Sequence, residues 1–231
     1  MKIKFGDFIT DARGSQGGSV YSSNASGAYK KSKSVPTNGR TSAQTAVRAL
    51  FAGVAAFWAG LTDSLRQQWI NAAADYTRTN VFGDQKKYTG QQLFMHLNSS
   101  LVNIGENILS APQPLVEVPA PVIDLVNADQ AEDEMIVKIA PATGNQVYSV
   151  EATFPVSPGV MSNNLSFKKI GQTTAAAISS GVDFKAEYAA VMGVALADLS
   201  VGQKIVFRVK ATSPNTGQYT PYSIASALVT N

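Results

Sequence analysis

Ala111-Pro112-Gln113-Pro114-Leu115-Val116-Glu117-Val118-Pro119-Ala120-Pro121 places four of the chain's ten prolines in one short stretch. The hydrophobic periodicity changes across it. Proline at this density removes backbone donors and blocks helix, so 111–121 reads as a semi-rigid extended linker and a domain boundary. The pattern before it is helical, and the pattern after it has the two-residue period of strands.

On the N-terminal side, Thr41-Ser42-Ala43-Gln44 has the form of a capping box opening a helix. Val47, Leu50, Phe51, Val54, Phe57, Trp58 and Leu61 follow at spacings of three and four, one wide apolar stripe expected to face a core. Gly60 ends this helix and Thr62 caps a second, with Asp63 in its first turn and Leu65, Trp69 and Ala72 or Ala73 along one face. Thr89-Gly90-Gln91-Gln92 repeats the capping box ahead of a third helix marked by Phe94, Leu97, Leu101 and Ile104 and ending near Gly105. Residues 41–110 therefore read as a small helical domain, with Trp58 and Trp69 as its large core side chains.

On the C-terminal side, Glu134 to Ile139, Gln146 to Phe154, Leu165 to Ile170, Lys204 to Ala211 and Ser223 to Val229 are strand candidates. Phe184, Tyr188 and Val191 at helical spacing imply one short helix. Strands separated by turns such as Ser213-Pro214-Asn215-Thr216-Gly217 suggest an antiparallel sandwich of the immunoglobulin (Ig-like) kind over 122–231. The expected class is α+β and multidomain.

Residues 1–40 are poor in large apolar side chains and rich in Gly, Ser and Asn. Such a segment cannot build a core and is expected to be an extended arm ordered against another surface. Short runs around Val20-Tyr21 and Ala28-Tyr29-Lys30, separated by Ser22 to Ser26, predict a hairpin that a neighbour completes by strand addition. Residues 1–50 carry eight Lys/Arg against two Asp, a net of +6, whereas 111–231 carry seven against ten Asp/Glu, a net of −3. Val20, Tyr21, Tyr29, Lys30, Lys31, Lys33 and Arg40 are the candidate partner-binding residues, the cations steering the arm onto an acidic surface.

Chemistry is harder to find than architecture. With no cysteine and His96 as the single histidine, disulfides, thiolate metal sites and cysteine nucleophiles are excluded, and a triad could be built only around His96. Gly14-Ser15-Gln16-Gly17-Gly18 lacks the Lys-Ser/Thr of a phosphate loop. Glu132-Asp133-Glu134 lacks the alternating ligand spacing of a calcium loop and reads as a solvated turn. No catalytic, cofactor or metal site is expected, nor specific nucleic-acid binding. The Ala49 to Leu61 stretch, interrupted by Gly53 and Gly60, is too short to span a bilayer, and Phe5 to Thr10 does not form the apolar core of a secretory signal. The reading is of a chain made in the cytoplasm, with no membrane partner.

The Gly-rich arm, the Thr41-Ser42-Ala43-Gln44 cap, Arg48-Ala49-Leu50-Phe51, Trp58-Ala59-Gly60-Leu61-Thr62, Arg66-Gln67-Gln68-Trp69 and Gly90-Gln91-Gln92-Leu93-Phe94 with Asn98 together resemble virion structural proteins of tailed bacteriophages and prophages, over roughly residues 13 to 104. The resemblance carries over no catalytic residue. It implies a non-enzymatic virion component in many copies, its partners being the major capsid protein or neck and tail subunits. A capsid-associated auxiliary or decoration protein is the leading expectation and a neck or tail ring component the alternative. A secreted carbohydrate-binding or adhesion module is a third reading, which would require an export route.

Overall fold

The computed structural model describes residues 2, 11–34, 37–79, 82–140, 144–160 and 165–231. The chain is α+β, and its contacts divide it into two compact units, Met1–Met95 and His96–Asn231. The reading of Phe5 to Thr10 lies outside the described residues.

In the first unit, β1 (Gly14–Gln16), β2 (Ser19–Asn24) and β3 (Gly27–Ser32) form an antiparallel sheet with β2 in the centre. The expected hairpin is present with one more strand, and its turn is confined to Ala25-Ser26, since Asn24 pairs with Gly27. Three helices follow: α1 (Ser42–Gly60), α2 (Asp63–Ala72) and α3 (Gly90–Ile104). A one-turn 3-10 helix (Ala73–Asp75) and the short antiparallel pair β4 (Thr77–Thr79) and β5 (Gln85–Lys87) connect the last two.

The helix starts are where the hydroxyl residues put them. Thr41, Thr62 and Thr89 each accept from the backbone amide three residues on, and at Thr89 the Gln92 side chain closes the box by accepting from the Thr89 amide at 3.3 Å. The corner between α1 and α2 is bent by 115°. Arg66 holds it by donating to the Ala59 carbonyl at 2.7 Å and the Trp58 carbonyl at 3.4 Å, and by pairing with Asp63. A guanidinium on the last carbonyls of α1 satisfies acceptors that the helix itself leaves open. The small core behind that corner is aromatic. Phe94 meets Trp58 and Trp69 at centroid distances of 5.2 Å, the latter edge-on, and Phe57 at 6.2 Å. Gly90 is buried where a Cβ would lie 2.8 Å from the Ile70 backbone nitrogen, so α3 starts against α2 at a distance only glycine permits.

Among its described residues the second unit holds two sheets. The larger has the order β10 (Phe167–Thr174), β9 (Val147–Thr153), β12 (Lys204–Thr212), β13 (Ser223–Thr230), β7 (Ala128–Asp129). It is antiparallel except for the β13/β7 pair, where Val229 lies opposite Ala128 in parallel. The smaller sheet is β11 (Val182–Asp183), β8 (Ile136–Ile139), β6 (Ile123–Val126). Inward-facing Tyr148, Val150, Ala152, Ile205, Phe207, Val209 and Ala211 share one core with Val137 and Ile139 of the smaller sheet.

The single expected helix is two, α4 (Ala175–Ser180) and α5 (Lys185–Met192), contributing Ile178, Tyr188 and Met192 to that core; Val191 points outward. The Tyr188 hydroxyl donates to the Thr153 carbonyl at 3.1 Å, and burial pushes its pKa up to about 12.

The division into units departs from the expected linker. It falls inside α3, between Met95 and His96, and Leu97 and Leu101 beyond it lie against Gly217 of the second unit. Residues 111–121 are hydrogen-bonded to that same unit. The Val116 amide donates to Gln218 Oε1 at 2.9 Å, Ser223 Oγ donates to the Pro121 carbonyl, and Val118 packs against the core. The proline-rich stretch is a strap laid along the β unit, its donors too few for a strand but its side chains and carbonyls engaged.

Candidate assembly surface

One surface open to a partner is built on α1. Only Val54 of its stripe is fully buried within the helix, with Leu61 just beyond its end. Val47, Phe51 and Phe57 are 55%, 49% and 40% exposed, against the expectation that the whole stripe forms core. The aromatic cluster around Phe94 reaches only the last turns of α1, and among the described residues Ser42 to Ala49 of its first turns are exposed. Arg48 is the single charge in the helix, and neither the first turn nor the last carries a charge that would favour solvation. An apolar helix face of this kind is ordinarily covered in the working protein.

The candidate residues of the N-terminal segment fall into separate places. Tyr21 lies directly opposite Lys30, whose ammonium sits 5.4 Å from the Tyr21 ring centroid. Val20 lies opposite Lys31, and Tyr29 opposite Ser22. Strand alternation therefore puts Tyr21 and Lys30 on one face of the sheet and Val20, Tyr29 and Lys31 on the other. Lys33 is exposed beyond β3 with its amide bonded to the Gly18 carbonyl, and Arg40, at φ 45°, is exposed in the loop ahead of α1. The structure brings the two aromatics and two of the cations into one sheet but does not gather the four cations into a patch. Lys2 pairs with Tyr29 through a bridge and donates to the Ser26 carbonyl, covering part of the β3 edge. Val20 belongs to the central strand, paired with both Ser15 and Lys31, so it offers no free edge.

Elsewhere the chemistry is modest. Among the described residues no group of three or more acidic or histidine side chains could hold a metal ion, and Asp133 is ion-paired to Lys185 at 2.7 Å. No single described helix is long and apolar enough to cross a membrane. The exposed face of α1 was missed from the sequence because periodicity reports that a face is apolar, not what covers it. No family model, curated protein or solved structure matches the chain.

Proposed function

We propose that this chain is a non-enzymatic structural component of a tailed-phage virion, a capsid-associated auxiliary protein that attaches through residues 1–60 and presents an Ig-like sandwich. The exposed Val47 and Phe51, one turn apart on α1, carry the reading. They mark an apolar helix face with one charge, following a three-stranded sheet with no core of its own, and both features call for a partner surface. The N-terminal segment acts as an arm that becomes fully protected on that surface. The virion assignment rests on the resemblance of residues 13 to 104 described above.

Quantitative mass spectrometry of purified particles tests it. A shell-associated protein is present on the order of hundreds of copies per particle and a neck or tail ring in about a dozen, following the symmetry of each site. Absence from purified particles overturns the assignment.

A further inference from the structure

One face of the larger sheet carries an alternating ladder of rings and cations. The Arg208 guanidinium lies 4.2 Å from the ring centroids of both Phe167 and Tyr222. The Lys210 ammonium lies 5.5 Å from Tyr222 and 4.8 Å from Tyr219, and the Tyr219 ring meets His96 at a tilt, centroids 5.1 Å apart. Register places Lys169, Glu151 and Arg208 side by side on adjacent strands, and Gln172, Ser149 and Lys210 in the next row. Since 149 and 151, and 208 and 210, alternate by two, both rows face the same way, and Thr212, opposite Val147, faces that way one row further on.

The charges on this face do not balance. Glu151 is fully committed, one oxygen accepting from Arg208 Nε at 2.8 Å and the other from the Tyr222 hydroxyl at 2.7 Å. Lys169 donates to the Asn103 carbonyl at the end of α3, at 3.0 Å, as does Gln172 at 2.8 Å. Lys210 has no hydrogen-bond acceptor among the described residues. Ser149 lies directly opposite Lys210 and Thr212 two residues along its strand, and the hydroxyls of both, each in a residue 1% exposed, have no hydrogen-bond partner among the described residues. Buried hydroxyls without partners are rare in folded proteins and point to a polar occupant. A water molecule would satisfy the hydroxyls but not the charge: Lys169, Arg208 and Lys210 face a single carboxylate.

We propose that Lys210, with the hydroxyls of Ser149 and Thr212 and the nearby Lys169 ammonium, forms a binding site for a small oxyanion, a phosphate or a carboxylate. Charge-assisted hydrogen bonds from an ammonium to such a group are among the stronger ones available in a protein. The exposed edges of Tyr219 and Tyr222 leave room for a larger molecule bearing that group. Titration of the neighbours agrees. Burial first, then the charge of Lys210, lowers the pKa of Lys169. Burial first also lowers that of Lys210, with Arg208 adding to the effect and Glu151 opposing it. A bound anion reverses these shifts.

Lysine side-chain NMR on the full chain tests the site, with inorganic phosphate and glucuronate as separate probes at constant ionic strength. The expected result is saturable movement of the Lys210 signal, identified by its loss in Lys210→Met, with a midpoint on the order of 1 mM and an upward shift of its pKa. Movement with phosphate alone or glucuronate alone supports the site and assigns its ligand class. Lys204→Met, on the same strand and face, should leave binding intact, whereas Ser149→Ala, which keeps the Lys210 signal, should weaken it about tenfold. No saturable movement with either probe, no weakening in Ser149→Ala, or equal loss in Lys204→Met overturns the proposal.

Discussion

A Cβ placed on Gly217 would lie 2.9 Å from the carbonyl carbon of Leu97, closer still to its oxygen, and 3.1 Å from Leu101 Cγ. Gly217 also sits at φ 74°, a conformation side chains other than glycine's adopt at a cost. The loop between β12 and β13 therefore accepts the second half of α3 at backbone contact. This contact, with Asn98 Oδ1 accepting from the Leu109 amide at 2.7 Å, makes residues 96–121 part of the β unit.

Gly217→Ala should accordingly destabilise the β unit by about 3 kcal/mol, the combined effect of overpacking and an unfavourable backbone angle. Urea unfolding followed by near-ultraviolet circular dichroism measures it. A loss below about 0.5 kcal/mol would mean that α3 is readily displaced.

Truncation separates a strap from a linker. A fragment starting at Thr89 keeps the α3 cap, Leu97, Leu101 and the Val116–Gln218 bond, and should fold as a β-rich unit. One starting at Val118 uncovers the buried face that receives α3 and should aggregate or unfold at lower urea. Equal stability of the two fragments would restore 111–121 to a mere spacer.

His96 gives the β unit an acid-side weakness. Burial first, and the Lys210 charge second, lower its pKa below the ordinary 6.5. The unfolded chain then gains a proton at 6.5 while the folded chain does not, so this contribution is complete above 6.5 and is lost as the pH falls from there through the folded value. The urea midpoint should fall as the pH drops below 6.5 in the natural chain, less so in Lys210→Met and least in His96→Gln.

On α1, exposure and burial predict opposite outcomes one turn apart. Val47→Ser with Phe51→Ser should leave unfolding within about 0.5 kcal/mol of the natural chain while reducing attachment to particles. Val54→Ser, in the core, should cost about 2 to 3 kcal/mol. Full attachment of the double variant would show that this face is not what the partner covers.

For the N-terminal sheet, Lys30, Lys31, Lys33 and Arg40 replaced together by Ser should weaken attachment modestly and make it less salt-sensitive, since exposed ion pairs contribute about 0 to 1 kcal/mol each. Val20→Pro should do more harm, because Val20 is in the middle strand and proline there breaks the sheet. Particle-associated protein across a salt series decides between them, and greater loss from the charge changes would reverse the ranking.

The helix starts were readable because they depend on local chemistry: Thr41, Thr62 and Thr89 cap whatever follows them. The longer strands of the β unit were readable from alternation, as in Lys204 to Ala211, while the short β6, β7 and β11 were not. α4 was not, being six residues of Ala, Ile and Ser with no room for a periodic stripe. For the candidate surfaces, the sequence supplied Val20, Tyr21, Tyr29 and the cations but not their separation onto two sheet faces, which follows from register.

Composition, capping and periodicity thus determined an α+β chain with helices ahead of strands and a coreless N-terminal stretch, because each depends on residues close in sequence. The tertiary structure decided that 111–121 is a strap, that α3 divides between the two units, and that Val47 and Phe51 face outward. It alone set Ser149 opposite Lys210 on the neighbouring strand. Each of these outcomes turns on which distant surface reaches an apolar or polar group first, and Leu97 at Gly217, across more than a hundred residues of chain, shows why no local pattern could announce it.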